Sequence, residues 1–410
     1  MTLINLRAAA HRPSVDDLVS RAEAIRTLVR AQAEQAEANR VVSAEAVARM
    51  REAGLFRIMQ PAIYGGYEYG FEALVRTVAP VAAGCGSAGW IFSLGIVHQW
   101  LTATFPKEAQ DEYWSDPDAI AAGSYAPVGK AVVADGGYRL SGNWSFTSGC
   151  DHAQWLFLGG MIPPAKDGAP PRPAFFLLPR ADVSFDDNWY TMGLAATGSK
   201  NTIADDVFVP AHRVVPIADL LNGTTPGASV HDNPLYRQSM LSALPFALVT
   251  PILGIADGAL ADFIEMAKAR TTRGAVAGGN NRMAEFATVQ SRVAEATGSI
   301  DADAAENHAP LGGYMTVCAA TTSLGLQAVA SASFAWASSP DARSFELRSS
   351  AARARATSSP ATSFRGDAST SLRSASAAAF SSPAAAASVA AARRSFSAAV
   401  PYEPAATSPG

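Results

Sequence analysis

The sequence predicts an α+β protein in which a helical block, a small β domain and a second helical block follow one another. Three observations carry this. Apolar residues recur at helical spacing from residue 14 to about 115. Near residue 117 the period shortens to two, and alternating runs bounded by Gly, Pro and Asp follow as far as about 210. From about Leu235 the helical period returns and lasts to about Ile300.

In the first block, Leu18, Ala22, Ile25 and Val29 share one face of a helix over 14–40. A second helix takes Ser43 as N-cap and stops at Gly54. The stretch FRIMQPAIYGGYEYG (56–70) is a turn-rich crossing, with Pro61 and the pair Gly65-Gly66 as breakers. Residues 71–115 return to helix with apolar residues on most faces, which marks a deeply buried segment.

In the β domain, GKAVVADGGYRLSGNWSFTSG reads as a hairpin turning at Asp135-Gly136-Gly137. Strand-like runs follow at 155–162, 173–179 and 202–210, with a proline-rich exposed loop between the first two. Residues 215–234 read as a linker. The resulting division is 1–115 helical, 116–225 β, 226–335 helical and 336–410 tail.

The apolar stretch SMLSALPFALVTPILGIA from Ser239 contains Pro245 and Pro251 and runs into an amphipathic helix, so it is read as a buried bundle helix rather than a membrane span. The tail differs in kind. No lysine follows Lys268, and 341–410 is mostly Ala, Ser, Pro and Arg with little periodicity. Two readings stay open for it, a disordered low-complexity tail or a change of reading frame in a GC-rich gene.

With 410 residues, 49% hydrophobic and 17% charged, the chain is a soluble globular protein of two or three domains. A net charge of −4 gives no reason to expect nucleic acid or an anionic membrane as partner. Cys85, Cys150 and Cys318 match no zinc spacing and suit a reducing cytoplasm; no metal is assigned, His152 and Cys150 having too few ligands nearby. No glycine-rich nucleotide-binding motif stands between a strand and a helix.

Four stretches, AGLFRIMQPAIYGGYE, CGSAGW (85–90), LSGNWSFTSGCDHAQW and MGLAATGSKNTIADDVFVP, resemble in order and spacing the acyl-CoA dehydrogenase fold. More narrowly, they resemble the oxygenase components of two-component flavin-dependent aromatic monooxygenases, such as the 4-hydroxyphenylacetate hydroxylase oxygenases. The likeness covers about residues 15–300 and fades after about 310. It implies N-terminal helices, a central small β-barrel or sandwich and a C-terminal helical bundle, here with an atypical end, assembled as a homotetramer.

The resemblance also implies a chemistry. A separate, transiently bound reductase would deliver reduced FMN or FAD. Oxygen would add to it as a C4a-hydroperoxide, and an aromatic ring, phenolic or indole-like, would be hydroxylated. Ser148 would hold flavin N5, and His98 and Ser124 would contact the phenolic oxygen, His98 as a neutral imidazole of ordinary pKa near 6.5 suited to accept the phenol proton. Trp144, Phe146 and Thr147 would line the flavin, with Thr197 and Ser199 bonding its ring or ribityl chain. Arg237, Arg270 and Arg273 would be cations for it, the last two for its phosphate. Read alone, 147–148 is an ordinary strand end, His98 a satisfied core histidine, 196–201 a connecting loop and Arg270 an exposed helix-end charge.

Two other functions stay open on the residues. An acyl-CoA dehydrogenase-like desaturase needs a carboxylate base, and RQSMLSALPFA (237–247) has none. An inactive scaffold homologue would follow if the altered C-terminus left the bundle incomplete.

Overall fold

The computed structural model describes residues 12–164, 168–271 and 282–308. The chain divides into two compact units at Ile255–Ala256.

In the first unit, α1 (Val15–Asn39) opens with a capping box. The Ser14 hydroxyl accepts from the Asp17 amide at 3.1 Å and the Asp17 carboxylate accepts from the Ser14 amide at 3.0 Å. Leu18, Ala22, Ile25 and Val29 are buried, the face that the spacing predicts. Ser43 caps α2 (Ala44–Glu52), and Gly54 takes the left-handed conformation just past its end. The segment predicted as helix over 71–115 resolves into α3 (Phe71–Gly84), α4 (Gly86–Ala103) and α5 (Lys107–Tyr113). Cys85, with extended backbone, separates the first two. α3 and α4 approach closely at Gly89, where an added Cβ would stand 2.3 Å from the Cβ of Ala82.

Seven strands form one hydrogen-bonded sheet: β1 (Ala121–Ala134), β2 (Gly137–Thr147), β3 (Trp155–Ile162), β4 (Arg172–Pro179), β5 (Ser184–Asp186), β6 (Lys200–Pro210) and β7 (Val214–Pro216). Their order is β5-β6-β2-β1-β3-β4-β7, with β1 and β3 parallel and the other pairs antiparallel. The hairpin turns at Asp135-Gly136, and Gly136 takes the positive φ of 75° that this turn requires. Leu140, Trp144, Leu156, Leu158, Phe176 and Val209 pack together as the core of the sheet.

The predicted linker 215–234 is structured instead. It holds most of β7, the helix α6 (Ile217–Asn222) and a 3-10 turn at Pro226–Ser229. These pieces are too short to show a period, and β7 exists by pairing with β4.

α7 (Met240–Ala269) has the length and apolar composition of a membrane span. Its first part packs within the helical block: Phe246 stacks on Phe71, and the Ala247 carbonyl accepts from the Ser93 hydroxyl at 2.7 Å. In the second unit, Leu260, Phe263 and Ile264 pack with Ala284 and with Val293 of α8 (Ala287–His308). The predicted tail, 336–410, lies outside the described residues.

One carboxylate joins the first helix to the sheet region. Glu37 of α1 accepts from the amides of Ala195 and Ala196 at 2.9 and 3.2 Å and from the hydroxyl of Ser87. Those amides open a 3-10 turn at Ala195–Thr197, where an anion is favoured. Beside it, the Val42 amide donates to the Ala196 carbonyl at 2.9 Å. Glu37→Ala leaves two amides and a hydroxyl without their acceptor and is expected to lower stability by about 1–3 kcal/mol. A thermal or urea unfolding midpoint equal to wild type would contradict this role.

Candidate active site

The end of β2 departs from a regular strand. Register against β6 shifts between Trp144 and Thr147, and Phe146 has a φ of 66°. The inward-outward order is reset: Trp144 is buried, Ser145 and Phe146 are exposed, and Thr147 and Ser148 are buried. Phe146 is left 67% exposed, edge-on to Trp189.

Ser148 then heads a chain of hydroxyls. Its Oγ lies 2.8 Å from Ser199 Oγ, and Ser199 Oγ lies 2.8 Å from Thr197 Oγ1. Thr197 donates to the Leu194 carbonyl at 2.9 Å. Each hydroxyl has one proton, and a carbonyl only accepts. The direction is therefore fixed, with Ser148 donating to Ser199, Ser199 to Thr197 and Thr197 to Leu194. Ser148 is left with lone pairs and no free proton, so toward a ligand it accepts. The Gly149 amide donates to the Thr197 carbonyl at 2.8 Å and holds strand end and loop together. A small pocket meets Ser148, walled by Val47, Phe56, Ile91, Gly95, Ile120 and His152.

A second polar chain crosses from α4 to β1. His98 is 1% exposed, and its Nδ1 lies 2.6 Å from the carbonyl of Ala121. Nδ1 must carry the proton there, which makes Nε2 an acceptor in the neutral ring. At 2.6 Å from Nε2 lies the hydroxyl of Tyr125, which donates to it. Burial pushes the His98 pKa down to about 4, below the ordinary value expected from sequence, and pushes the Tyr125 phenol up. Ser124, next to Tyr125 on β1, leaves the strand on the other face, and its hydroxyl donates to the Ser145 carbonyl at 2.7 Å.

The remaining candidates are placed as follows. Trp144 is fully buried in the sheet core and donates to the Gly159 carbonyl at 2.7 Å. Thr147 is fully buried and paired with the Thr202 hydroxyl at 2.8 Å. Arg237 donates to the carbonyls of Ala228 and His231. Arg270, exposed at the end of α7, belongs to the second unit, and Arg273 lies outside the described residues. Cys150 is buried with its thiol pushed up to about 12, and among the described residues no three His, Cys, Asp or Glu side chains gather as metal ligands.

Sequence reading did not single out Glu37, which looks like any acid on a polar helix face, and it takes Tyr125, with Trp90, Phe92 and Trp100, only as an aromatic of a flat apolar pocket or of the core, without a use for its hydroxyl. The second had a signal in its neighbours, since it directly follows Ser124.

The depressed His98 pKa makes a stability prediction. The unfolded state, with a pKa near 6.5, takes up the proton before the folded state does. The contribution is therefore complete above about pH 6.5 and is lost as pH falls from there toward about 4. His98→Gln removes this term. Between about pH 7.5 and about pH 5, wild type should lose about 2 kcal/mol more than the variant. Equal losses in urea unfolding would contradict the neutral, buried assignment.

Residues 20–119 match the family model for the acyl-CoA dehydrogenase N-terminal domain, and residues 246–337 match that for the acyl-CoA dehydrogenase C-terminal domain. The chain is 46% identical over 287 residues to the oxygenase component of an FADH2-dependent resorcinol hydroxylase from Rhizobium sp. (strain MTP-10005), covering 70% of each chain. It is 38% identical over 285 residues to the flavin-dependent monooxygenase oxygenase subunit HsaA of Rhodococcus jostii (strain RHA1), covering 69% of this chain and 73% of that one. The crystal structure of HsaA from Mycobacterium tuberculosis superposes with a TM-score of 0.70 at 30% identity, over 80% of this chain and 90% of that one. XiaF from Streptomyces, in complex with FADH2 and glycerol, superposes at 0.62 and 27% identity, over 81% and 79%. Fold, spacing and identity agree: the chain belongs to the oxygenase components of flavin-dependent monooxygenases, which have the acyl-CoA dehydrogenase fold.

Proposed function

We propose that this chain binds reduced flavin, FADH2, delivered by a separate reductase, and uses O2 to hydroxylate a phenolic ring. The flavin follows the FADH2-dependent resorcinol hydroxylase and the XiaF complex, and the phenol follows the resorcinol hydroxylase and the p-hydroxyphenylacetate 3-hydroxylase of Acinetobacter baumannii, 34% identical over 272 residues. The observation that carries the reading is the one-way hydroxyl chain ending at Ser148. A reduced isoalloxazine has an N–H at N5 where the oxidised ring has a bare acceptor. A Ser148 that only accepts fits the reduced ring.

When bound, the reduced flavin supplies the electrons and the reactive oxygen. The protein's residues do the rest. Ser148 holds the N5 proton in place, and Ser199 and Thr197 keep Ser148 in its accepting state. Phe146 and Trp189 offer an exposed aromatic surface at the strand end. The pocket beside Ser148 is walled by Val47, Phe56, Ile91 and Ile120 together with the imidazole of His152. The neutral His98–Tyr125 pair serves the substrate. A homotetramer and a cytoplasmic location accompany this reading as proposals.

An acyl-CoA dehydrogenase would need a carboxylate base. None stands in residues 237–247, the start of α7 included.

The test is to mix the protein anaerobically with FADH2 and then with oxygen, with and without a simple phenol. Wild type is expected to pass through a near-ultraviolet absorbance unlike that of reduced or oxidised flavin and to yield a hydroxylated phenol. In Ser148→Ala that absorbance should decay roughly tenfold faster, the worth of one hydrogen bond. Direct reoxidation in wild type, with no transient and no product from a panel of phenols, would refute the reading.

A further inference from the structure

We propose that the ion pair between Asp151 and Lys200 positions the hydroxyl chain, holding Ser148 against Ser199 and so keeping Ser148 an acceptor. The two are positioning residues, since they act through the serines. The inference rests on the reading of Ser148 given above and adds the pair that maintains its state.

Two short segments, 148–151 and 197–200, face each other contact by contact. The Ser148 hydroxyl meets that of Ser199 at 2.8 Å, and the Gly149 amide donates to the Thr197 carbonyl at 2.8 Å. The Cys150 thiol donates to the Gly198 carbonyl at 3.6 Å. The last contact carries charge: Lys200 Nζ lies 2.5 and 2.6 Å from the two carboxylate oxygens of Asp151. These side chains are 17% and 27% exposed, so salt and water screen the pair less than one on an open surface. Gly198 lets the segments close, with a φ of 60° and a position where a Cβ would stand 2.8 Å from Asp151 Oδ2. Lys200 opens β6 opposite Thr147, whereas 148–151 runs past the end of β2 as a turn. The pair thus ties a turn to a strand that the sheet already holds.

The hydroxyl contact is the member of this set with most to lose. At 2.8 Å it is a good hydrogen bond, and about 1 Å further out it is none. Ser148 would then keep a free proton and could donate as well as accept. It would no longer tell the N–H at N5 of a reduced flavin from the bare nitrogen of the oxidised ring. Loss of the pair therefore shows as lost discrimination between redox forms, which a general loss of stability does not produce.

The variants are Lys200→Met and Asp151→Asn, singly and together, with Lys200→Arg as the conservative control. In the flavin-free protein, hydrogen exchange at the Gly149 amide reports the spacing of the segments. It should quicken roughly tenfold in each single variant, the worth of about one hydrogen bond, while the amides of β3 keep their wild-type rates. The double variant should match the single ones, because the second change removes nothing further, and Lys200→Arg should restore protection. In the loaded protein, the dissociation constant for oxidised FAD divided by that for FADH2, measured anaerobically, should fall roughly tenfold in each single variant. Unchanged exchange at Gly149, exchange that rises equally at every amide, additive effects in the double variant, or an unchanged ratio overturns the proposal. If Lys200→Met does not fold, Asp151→Asn, which keeps the shape and removes the charge, carries the test. A wild type that binds FAD and FADH2 equally refutes the reading of Ser148 itself, and the exchange rates still decide whether the pair holds the segments together.

Discussion

A backbone carbonyl accepts hydrogen bonds and never gives one. In this protein that constraint sets the polarity of both chains described above. The Leu194 carbonyl takes the proton of Thr197 and, through Ser199, commits that of Ser148. The Ala121 carbonyl takes the Nδ1 proton of His98 and, through Nε2, commits that of Tyr125. Serine and tyrosine hydroxyls are ambivalent by nature; here each is made an acceptor by a fixed group several bonds away. The Leu194 carbonyl also receives the indole N–H of Trp189 at 3.0 Å, so several elements hold this terminus.

Such chains are useful only if their ends stay put, which explains why a helix carboxylate far back in sequence matters. Glu37 and the Val42 amide both engage the turn at 195–197, one accepting and one donating. The turn is thereby held to the end of α1 and the residues that follow it, while Gly149 ties it to the end of β2. Three segments distant in sequence meet at one short loop, and the loop carries Thr197 and Ser199. The Arg40 guanidinium extends the same junction, with ion-pair contacts to Asp187 and a hydrogen bond to the Trp189 carbonyl. Of these contacts, the exposed ion pair contributes least to stability and the amide–carboxylate bonds most.

Much of the fold was legible because its signals are local. The buried face of α1 follows from four apolar residues at helical spacing, the start of α2 from Ser43, and the β1–β2 turn from Asp135-Gly136. The strand read as 155–162 is β3 itself, and those read as 173–179 and 202–210 begin one or two residues late. The break at Cys85 is marked only by Gly84, Gly86 and Ser87, breakers outweighed in the reading by the apolar runs on either side of them. β7 and β5 are three-residue strands made by their partners. In the candidate site, the residue types were legible and their partners were not. Ser124 and Tyr125 are adjacent in sequence yet turn to different faces, and only the fold shows which of them reaches His98.

The kink at Phe146 has a consequence for how this site can vary. Bulky residues avoid a φ of 66°, so the conformation is held by the β2–β6 pairing on either side of it. What it contributes is a count: one additional residue between Trp144 and Thr147 lets both turn inward and delivers Ser148 to Ser199. The identity of the residue at 145 or 146 is nearly free in this respect, while the length of the segment is not. A lineage could exchange these side chains without losing the orientation of Ser148, but a single insertion or deletion here would rotate every following side chain to the wrong face. The address of the serine is written in chain length, and drift in composition leaves it unchanged.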